Sequence, residues 1–323
     1  MNMSVINLLA CPGCLSDLVL EGDALECRTC VRSFPVVGGV PRFVPSDNYA
    51  RSFGFQWNRF ARTQLDDHWG IDASRDRFIN ETRWRDDLRG QLILEAGCGA
   101  GRFTAHAART GATIVSFDYS SAVEAAKRNH EQLERVQFLQ ADIHELPFRR
   151  GIFDKVFCFG VLQHCPDPAK AFHSLVPFLK PGGEIVVDIY HRSWRSLFQG
   201  KYYLRLITRR IRPERLFSLV RAYVRVLYPV LGIPHRIVGS RVARMIGQVV
   251  GVCDYRGYFQ LSDEAQFETC LLDTFDMLSP AHDHPRTIRA VRRWFEEAGF
   301  EAVEVGRGYN GVEARGRRAV GAS

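Results

Sequence analysis

The chain of 323 residues has no uninterrupted apolar run approaching the roughly 18 residues that a membrane-spanning helix needs. Its first ten residues, Met1 to Ala10, lack a basic stretch, and the apolar run Val5 to Ala10 is shorter than a secretory signal core. A cytoplasmic location is therefore expected. Internal repeats and low-complexity segments are missing too. With 46% hydrophobic and 24% charged residues, a mainly disordered or collagen-like chain is excluded. The nine cysteines are an odd number. Four form two CxxC pairs near the N-terminus and the rest are scattered. That argues against a secreted disulfide framework and for metal binding in a reducing compartment.

The paired cysteines are Cys11, Cys14, Cys27 and Cys30, spaced C-x2-C-x12-C-x2-C. Each CxxC turn supplies two thiolates at the separation that tetrahedral Zn²⁺ requires, and two facing turns close a four-sulfur structural site. A redox role is disfavoured because no thioredoxin-like βαβ context surrounds either pair. Short strand-like runs lie between the pairs, and Phe34 to Pro45 is rich in turn formers and β-branched residues. A module this small has little core of its own, so metal binding is expected to supply most of its folding energy. Leu9-Ala-Cys-Pro-Gly-Cys14, Leu25-Glu-Cys-Arg-Thr-Cys30 and Phe34-Pro-Val-Val-Gly-Gly-Val-Pro41 together resemble the zinc-ribbon family that activates tRNA and protein methyltransferases.

The remainder divides by pattern. Residues 1–45 form the ribbon, 46–90 a linker with short helices, and 91–190 an alternation of strands and helices. Residues 191–256 form a basic amphipathic insertion, and 257–323 return to the alternating theme. The strand candidates are Leu92–Glu95, Thr113–Asp118, Val136–Gln140, Lys155–Phe159, Glu184–Ile189, Glu301–Val305 and Tyr309–Gly316. Alternation at this pitch indicates an α/β fold with a mostly parallel sheet covered on both faces.

Ile93-Leu-Glu-Ala-Gly-Cys-Gly-Ala-Gly-Arg-Phe103 follows an apolar strand and precedes a helical pattern. Its glycines are spaced G-x-G-x-G, which lets the backbone turn tightly and approach a ligand. Asp118 and Asp142 each end the next two strands, and Lys180-Pro-Gly-Gly-Glu184 reads as a tight turn into another. Taken in this order, the four features resemble the class I S-adenosylmethionine (SAM)-dependent methyltransferases of the type 11-like group, over about residues 90–190 and 285–316. The resemblance implies a Rossmann-like seven-stranded sheet whose last strand is antiparallel, with SAM as cofactor. It implies that Glu95 holds the methionine end and that Gly97, Cys98, Gly99 and Gly101 form the floor. Asp118, with Tyr119 beside it, takes the ribose; Asp142 and the Ile143 backbone take the adenine. Gly160 to His164 flank the methyl group. Phe53-Gly-Phe-Gln-Trp57, with Gln56 and Trp57, reads either as a lid over the cofactor or as aromatic packing between ribbon and core.

Methyl transfer needs alignment and exclusion of water, and a base only when the acceptor holds its proton tightly. Candidates at the C-terminal edge of the sheet are His164, Tyr190 and His191. Structural alternatives stand beside them: a packing histidine for His164 and a surface loop for His191. His282 and His284 read as loop residues, since no third metal ligand is apparent.

The net charge of +7 is uneven. Residues 191–256 hold 14 Lys/Arg against two acids, Glu214 and Asp254, a local excess of +12. Leu216, Leu219, Val220, Tyr223, Val224 and Leu227 are expected on one helical face, with Arg215, Ser218, Arg221 and Arg225 opposite. This insertion reads as a cap over a small or lipid-linked substrate, an RNA-binding surface, or a helix pair that forms a homodimer or rests on anionic lipid. Arginines interleaved with Leu, Val and Ile suit packing better than a phosphate track. No Asn/Asp-Pro-Pro-Tyr sequence follows the fourth strand. Leu162 to Pro168 instead resembles the methyltransferase branch acting on small molecules, quinones and sugars. The preferred expectation is an O- or C-methyltransferase of a small or lipid-linked metabolite, with rRNA/tRNA methylation as the alternative. A non-catalytic SAM-binding partner of another methyltransferase is the third reading.

Overall fold

The computed structural model describes residues 6–45, 48–194 and 198–321. Near the N-terminus, β1 (Val19–Glu21), β2 (Ala24–Glu26), β3 (Ser33–Val37) and β4 (Val40–Pro41) form a four-stranded antiparallel sheet. Three short helices follow: α1 (Arg51–Arg59), α2 (Asp66–Trp69) and α3 (Ala73–Thr82).

The main sheet starts with β5 (Leu92–Ala96), where Leu-Ile-Leu-Glu-Ala is almost wholly buried, as a strand covered on both faces must be. Then come α4 (Thr104–Arg109), β6 (Thr113–Asp118), α5 (Ala122–Asn129), β7 (Val136–Gln140), β8 (Phe153–Cys158), α6 (Pro168–Leu175) and β9 (Leu179–Ile189). The helical insertion holds α7 (Gly200–Thr208), α8 (Pro213–Val238), α9 (Ser240–Val250) and α10 (Asp263–Leu278). The chain closes with α11 (Ile288–Glu297), β10 (Phe300–Gly308) and β11 (Gly311–Arg318). The seven-stranded order is β10-β11-β9-β8-β5-β6-β7, and β11 runs antiparallel to both neighbours. This is the Rossmann-like sheet with an antiparallel last strand that the sequence implied.

Several local expectations needed correction. Lys180 to Gly183 do not form a turn ahead of a strand. They lie inside β9, whose pairing with β8 shifts register between Phe153 and Lys155, and Gly182 takes a φ of 75°. Thr287 caps α11, its Oγ1 accepting the Ala290 N–H at 3.2 Å. Although no apolar run is continuous, one helix among the described residues is long and apolar enough to cross a membrane. It spans Pro213–Ile237 and contains a window of mean hydropathy 1.5, only 28% of it buried. Arg221 and Arg225 break the run in sequence but are too few to bring its average below that of a spanning helix. On that helix Leu216, Val220 and Val224 are buried, yet Leu219 is 58% exposed and leaves the face assigned to it.

The ribbon has no separate core. Leu9, Leu25 and Phe34 are buried in one cluster with Phe148, Phe153 and Leu179 of the main domain. Backbone hydrogen bonds complete the join: Phe43 N–H donates to the Gln140 carbonyl at 2.8 Å and Ala10 N–H to the Pro147 carbonyl at 3.0 Å. Arg42 pairs in parallel with Gln140, so the ribbon covers the otherwise free edge of β7. A second cluster holds the insertion together. Phe217, Val220, Val224 and Leu231 of α8 meet Leu272 and Phe275 of α10 and Phe60 beyond α1. The helical layer therefore runs on to Leu278.

Candidate active site

A cavity of about 660 Å³ opens at the C-terminal edge of the sheet, between the glycine loop, α1 and the insertion. Gly97, Cys98 and Gly99 line it, as do Asp118, Tyr119, Ile143 and Gly160. Gly97 has φ 77°, and an added Cβ would lie 2.3 Å from Val161 Cγ2, so only glycine fits there. Asp118 is fixed by its own loop. Gly99 N–H donates to Oδ2 at 2.9 Å, and Ser120 N–H and Oγ–H donate to Oδ1 at 2.8 and 2.7 Å. A carboxylate has about four acceptor positions. Three are occupied, and Oδ2 retains one for a ligand hydroxyl at the cavity wall.

Other predicted cofactor residues stand behind that wall. Thr104 and Ser116 hydroxyls each donate to Glu95 Oε2 at 2.6 Å, and burial pushes this carboxyl up to about 7. Gly101, with φ 87°, packs against the His130 ring. Asp142 accepts the His144 N–H at 2.8 Å. Gln56 is fully buried behind the cavity wall and donates from Nε2 to Oδ1 of Asp276, a lining residue, at 2.8 Å. Its neighbour Trp57 does line the cavity, and its indole lies 3.3 Å from where a Cβ on Gly99 would stand. Helix α1 lies over the glycine loop through Trp57 and Phe53 and packs on the insertion through Phe55, so its aromatic packing is against the insertion and not between ribbon and core.

The three candidate catalytic side chains, His164, Tyr190 and His191, all reach the cavity. His164 sits between Phe53, at 4.9 Å between ring centres, and Tyr190, at 5.6 Å. Its Nδ1 lies 3.0 Å from the carbonyl oxygen of His282. A carbonyl only accepts, so Nδ1 carries the proton and Nε2 of the neutral ring is an acceptor. Burial lowers the His164 pKa below its ordinary value, which keeps Nε2 unprotonated near neutrality. Burial also lowers that of His191, with Arg307 adding to the effect, but its ring is less enclosed. His282 and His284 stack at 5.6 Å without a further metal-ligating neighbour among the described residues.

Some residues that shape this site carry no sequence motif. Arg77 is buried between Glu81, 2.6 Å from its Nε, and Asp188, with which it forms a second ion pair. Asp188 in turn accepts the Gly160 N–H at 2.5 Å. Lys201 pairs with Asp283 at 2.8 Å and lies 5.1 Å from the centre of the Tyr190 ring. Arg205 donates to the carbonyls of Met277 and Pro280 at 3.2 and 2.9 Å. These two basic residues of the insertion point inward and brace the loop whose His282 carbonyl orients His164. An acid within the apolar run Ile185-Val-Val-Asp-Ile189 was the one available sequence signal.

The cysteines converge elsewhere. All four sulfur atoms lie within 4.8 Å of one another, with Cys11 and Cys30 at 3.5 Å and Cys14 and Cys27 at 3.4 Å. In tetrahedral ZnS₄ with bonds of about 2.3 Å, sulfurs stand about 3.8 Å apart. The two knuckles share one backbone design. Leu15 N–H donates to the Cys11 carbonyl and Val31 N–H to the Cys27 carbonyl, and Leu15 and Val31 both take positive φ, 62° and 58°. Non-glycine residues hold that conformation only where the surroundings enforce it.

Comparison with known proteins agrees with the cavity. Residues 94–187 match the family described as a methyltransferase domain. The ubiquinone biosynthesis O-methyltransferase of Alkalilimnicola ehrlichii is 31% identical over 168 residues, covering 48% of this chain and 68% of that protein. The chain belongs to the class I SAM-dependent methyltransferases. The enzyme of the same name from Acinetobacter baumannii is 32% identical over 143 residues, covering 40% of this methyltransferase and 60% of that protein. Solved structures share the fold only distantly. Human N-acetylserotonin methyltransferase in complex with SAM has a TM-score of 0.47 at 17% identity, covering 85% of this chain and 60% of that one. Magnesium protoporphyrin IX methyltransferase from Synechocystis has a TM-score of 0.45 at 16% identity, covering 84% and 97%. SAM is the cofactor of this methyltransferase.

Proposed function

We propose that this methyltransferase acts on a hydroxyl oxygen of a small or lipid-linked aromatic acceptor, with His164 as the base. The carrying observation is the His164–His282 hydrogen bond, which leaves Nε2 as an acceptor on the cavity wall. Bound SAM supplies a methyl group on a sulfonium, ready for in-line displacement. Nε2 takes the proton that a phenolic hydroxyl gives up as its oxygen becomes the nucleophile. Phe53 and Trp57 exclude water from above, and Asp118 and the glycine loop hold the nucleoside. The relatives named for O-methylation in ubiquinone biosynthesis support an oxygen acceptor. The four cysteines hold a structural Zn²⁺ that fixes the ribbon against β7.

The test is incubation with methyl-labelled SAM and dihydroxy-aromatic acceptors, followed by fractionation. Label in the organic-soluble fraction, lost in His164→Ala with SAM affinity retained, is expected. Label in nuclease-sensitive material instead would overturn the small-acceptor reading.

A further inference from the structure

We infer that the outward face of the insertion docks this enzyme onto the surface of an anionic lipid bilayer. The inference rests on exposed groups of α8 and α9 and not on the choice of methyl acceptor.

Soluble helices bury their apolar side. Helix α8 does so with Leu216, Phe217, Val220, Val224 and Leu231, all at most 6% exposed. It then carries a second apolar stripe that no described residue covers. Leu219, Val226, Val230, Ile233 and Ile237 are each between 52% and 75% exposed. Their steps of seven, four, three and four residues place them within one narrow arc at about 100° per residue. Helix α9 repeats the arrangement with Val242, Met245 and Val249, between 43% and 65% exposed. Single exposed apolar residues are ordinary, whereas a stripe running from Leu219 to Ile237 along one helix marks an interaction surface.

Charge selects the occupant. Arg225 and Arg236 fall along one flank of the stripe by the same helical arithmetic. Neither they nor Arg215 and Arg241 form an ion pair among the described residues, which leaves them for an external anion. Glu214, the one acid of α8, is already paired with Arg51 at 3.2 Å. A second copy of the chain on this face would set arginines against arginines across a twofold axis. Nucleic acid offers phosphates but no place for five aliphatic side chains. A bilayer surface offers both: acyl chains for the stripe, and anionic headgroups for guanidinium groups that reach outward from it. The helix does not span, because its other face is sealed against α10 and the segment after α1.

The test is flotation of the full-length protein with vesicles of phosphatidylcholine alone or with 30% phosphatidylglycerol added. The expected result is at least tenfold tighter binding to the anionic vesicles, weakened by salt and released by alkaline carbonate. Val226→Glu with Ile233→Glu, and separately Arg225→Glu with Arg236→Glu, are expected to lower binding tenfold or more. Both pairs should leave thermal stability and SAM affinity unchanged, since these side chains are exposed and remote from the cavity. Equal binding to both vesicles, no binding, resistance to carbonate, or a solution dimer dissociated by Val226→Glu would each overturn the inference. None of these readouts depends on methyl transfer, so failure here leaves the proposed acceptor chemistry standing.

Discussion

The carboxylate of Asp188 accepts the backbone N–H of Gly160 at 2.5 Å while its other oxygen pairs with Arg77. The end of β9 thereby fixes the loop after β8 at the cavity wall.

Arg77 is the centre of this arrangement, with Glu81 and Asp188 both buried against it. Removing one partner of a buried ion cluster strands the others without solvent. Arg77→Ala is expected to destabilise the fold by about 3–5 kcal/mol and to weaken SAM binding through Gly160. Denaturant unfolding within about 1 kcal/mol of the parent would show that the cluster is not structural.

The acid limb of activity should follow His164. Burial depresses its pKa, so the catalytic form persists down to pH values below the ordinary histidine range near 6.5. The rate on a phenolic acceptor is expected to fall only below about pH 6.5. His164→Gln should reduce kcat by about 10²–10⁴ with SAM affinity retained. A pH profile unchanged in that variant would assign the proton to another group.

Glu95 offers a pH effect on stability with a defined sign. Its pKa rises from 4.5 to about 7 on folding because it is wholly buried. The folded state then holds a proton that the unfolded state has released between these values. The stabilising contribution is complete below 4.5 and is lost as pH climbs through about 7. Glu95→Gln should flatten the decline in unfolding free energy over that window, and an unaltered slope in titrated denaturation curves would contradict the assignment.

Asp118 holds Gly99 N–H as well as facing the cavity. Asp118→Ala is expected to weaken SAM binding at least 100-fold by calorimetry, on the order of 3 kcal/mol. An affinity equal to that of the parent is the result that would sink the ribose assignment.

Chelation tests the ribbon. Native mass spectrometry should find one Zn²⁺ per chain. Because Leu9, Leu25 and Phe34 belong to the main hydrophobic cluster, metal removal should raise amide exchange in residues 6–45 and along β7. Exchange confined to the ribbon would mean that the shared cluster survives without it.

The sequence by itself determined the parallel core, the glycine loop and the cysteine knuckles. These are written in local spacing: Thr113–Asp118 and Val136–Gln140 have the bounds expected of them, because buried parallel strands are apolar runs ended by turn chemistry. Only the tertiary structure decided that Glu95 and Gln56 stand behind the cavity wall, and that Arg77 joins Asp188 across 111 residues. It also decided the tautomer of His164, set by a carbonyl 118 residues away. The +12 insertion shows the division most plainly. Its amphipathic period was legible, but the face on which Leu219 belongs was not. Periodicity fixes which residues share a face, whereas burial depends on what packs there, and α10 covers one side of α8 and leaves the other open.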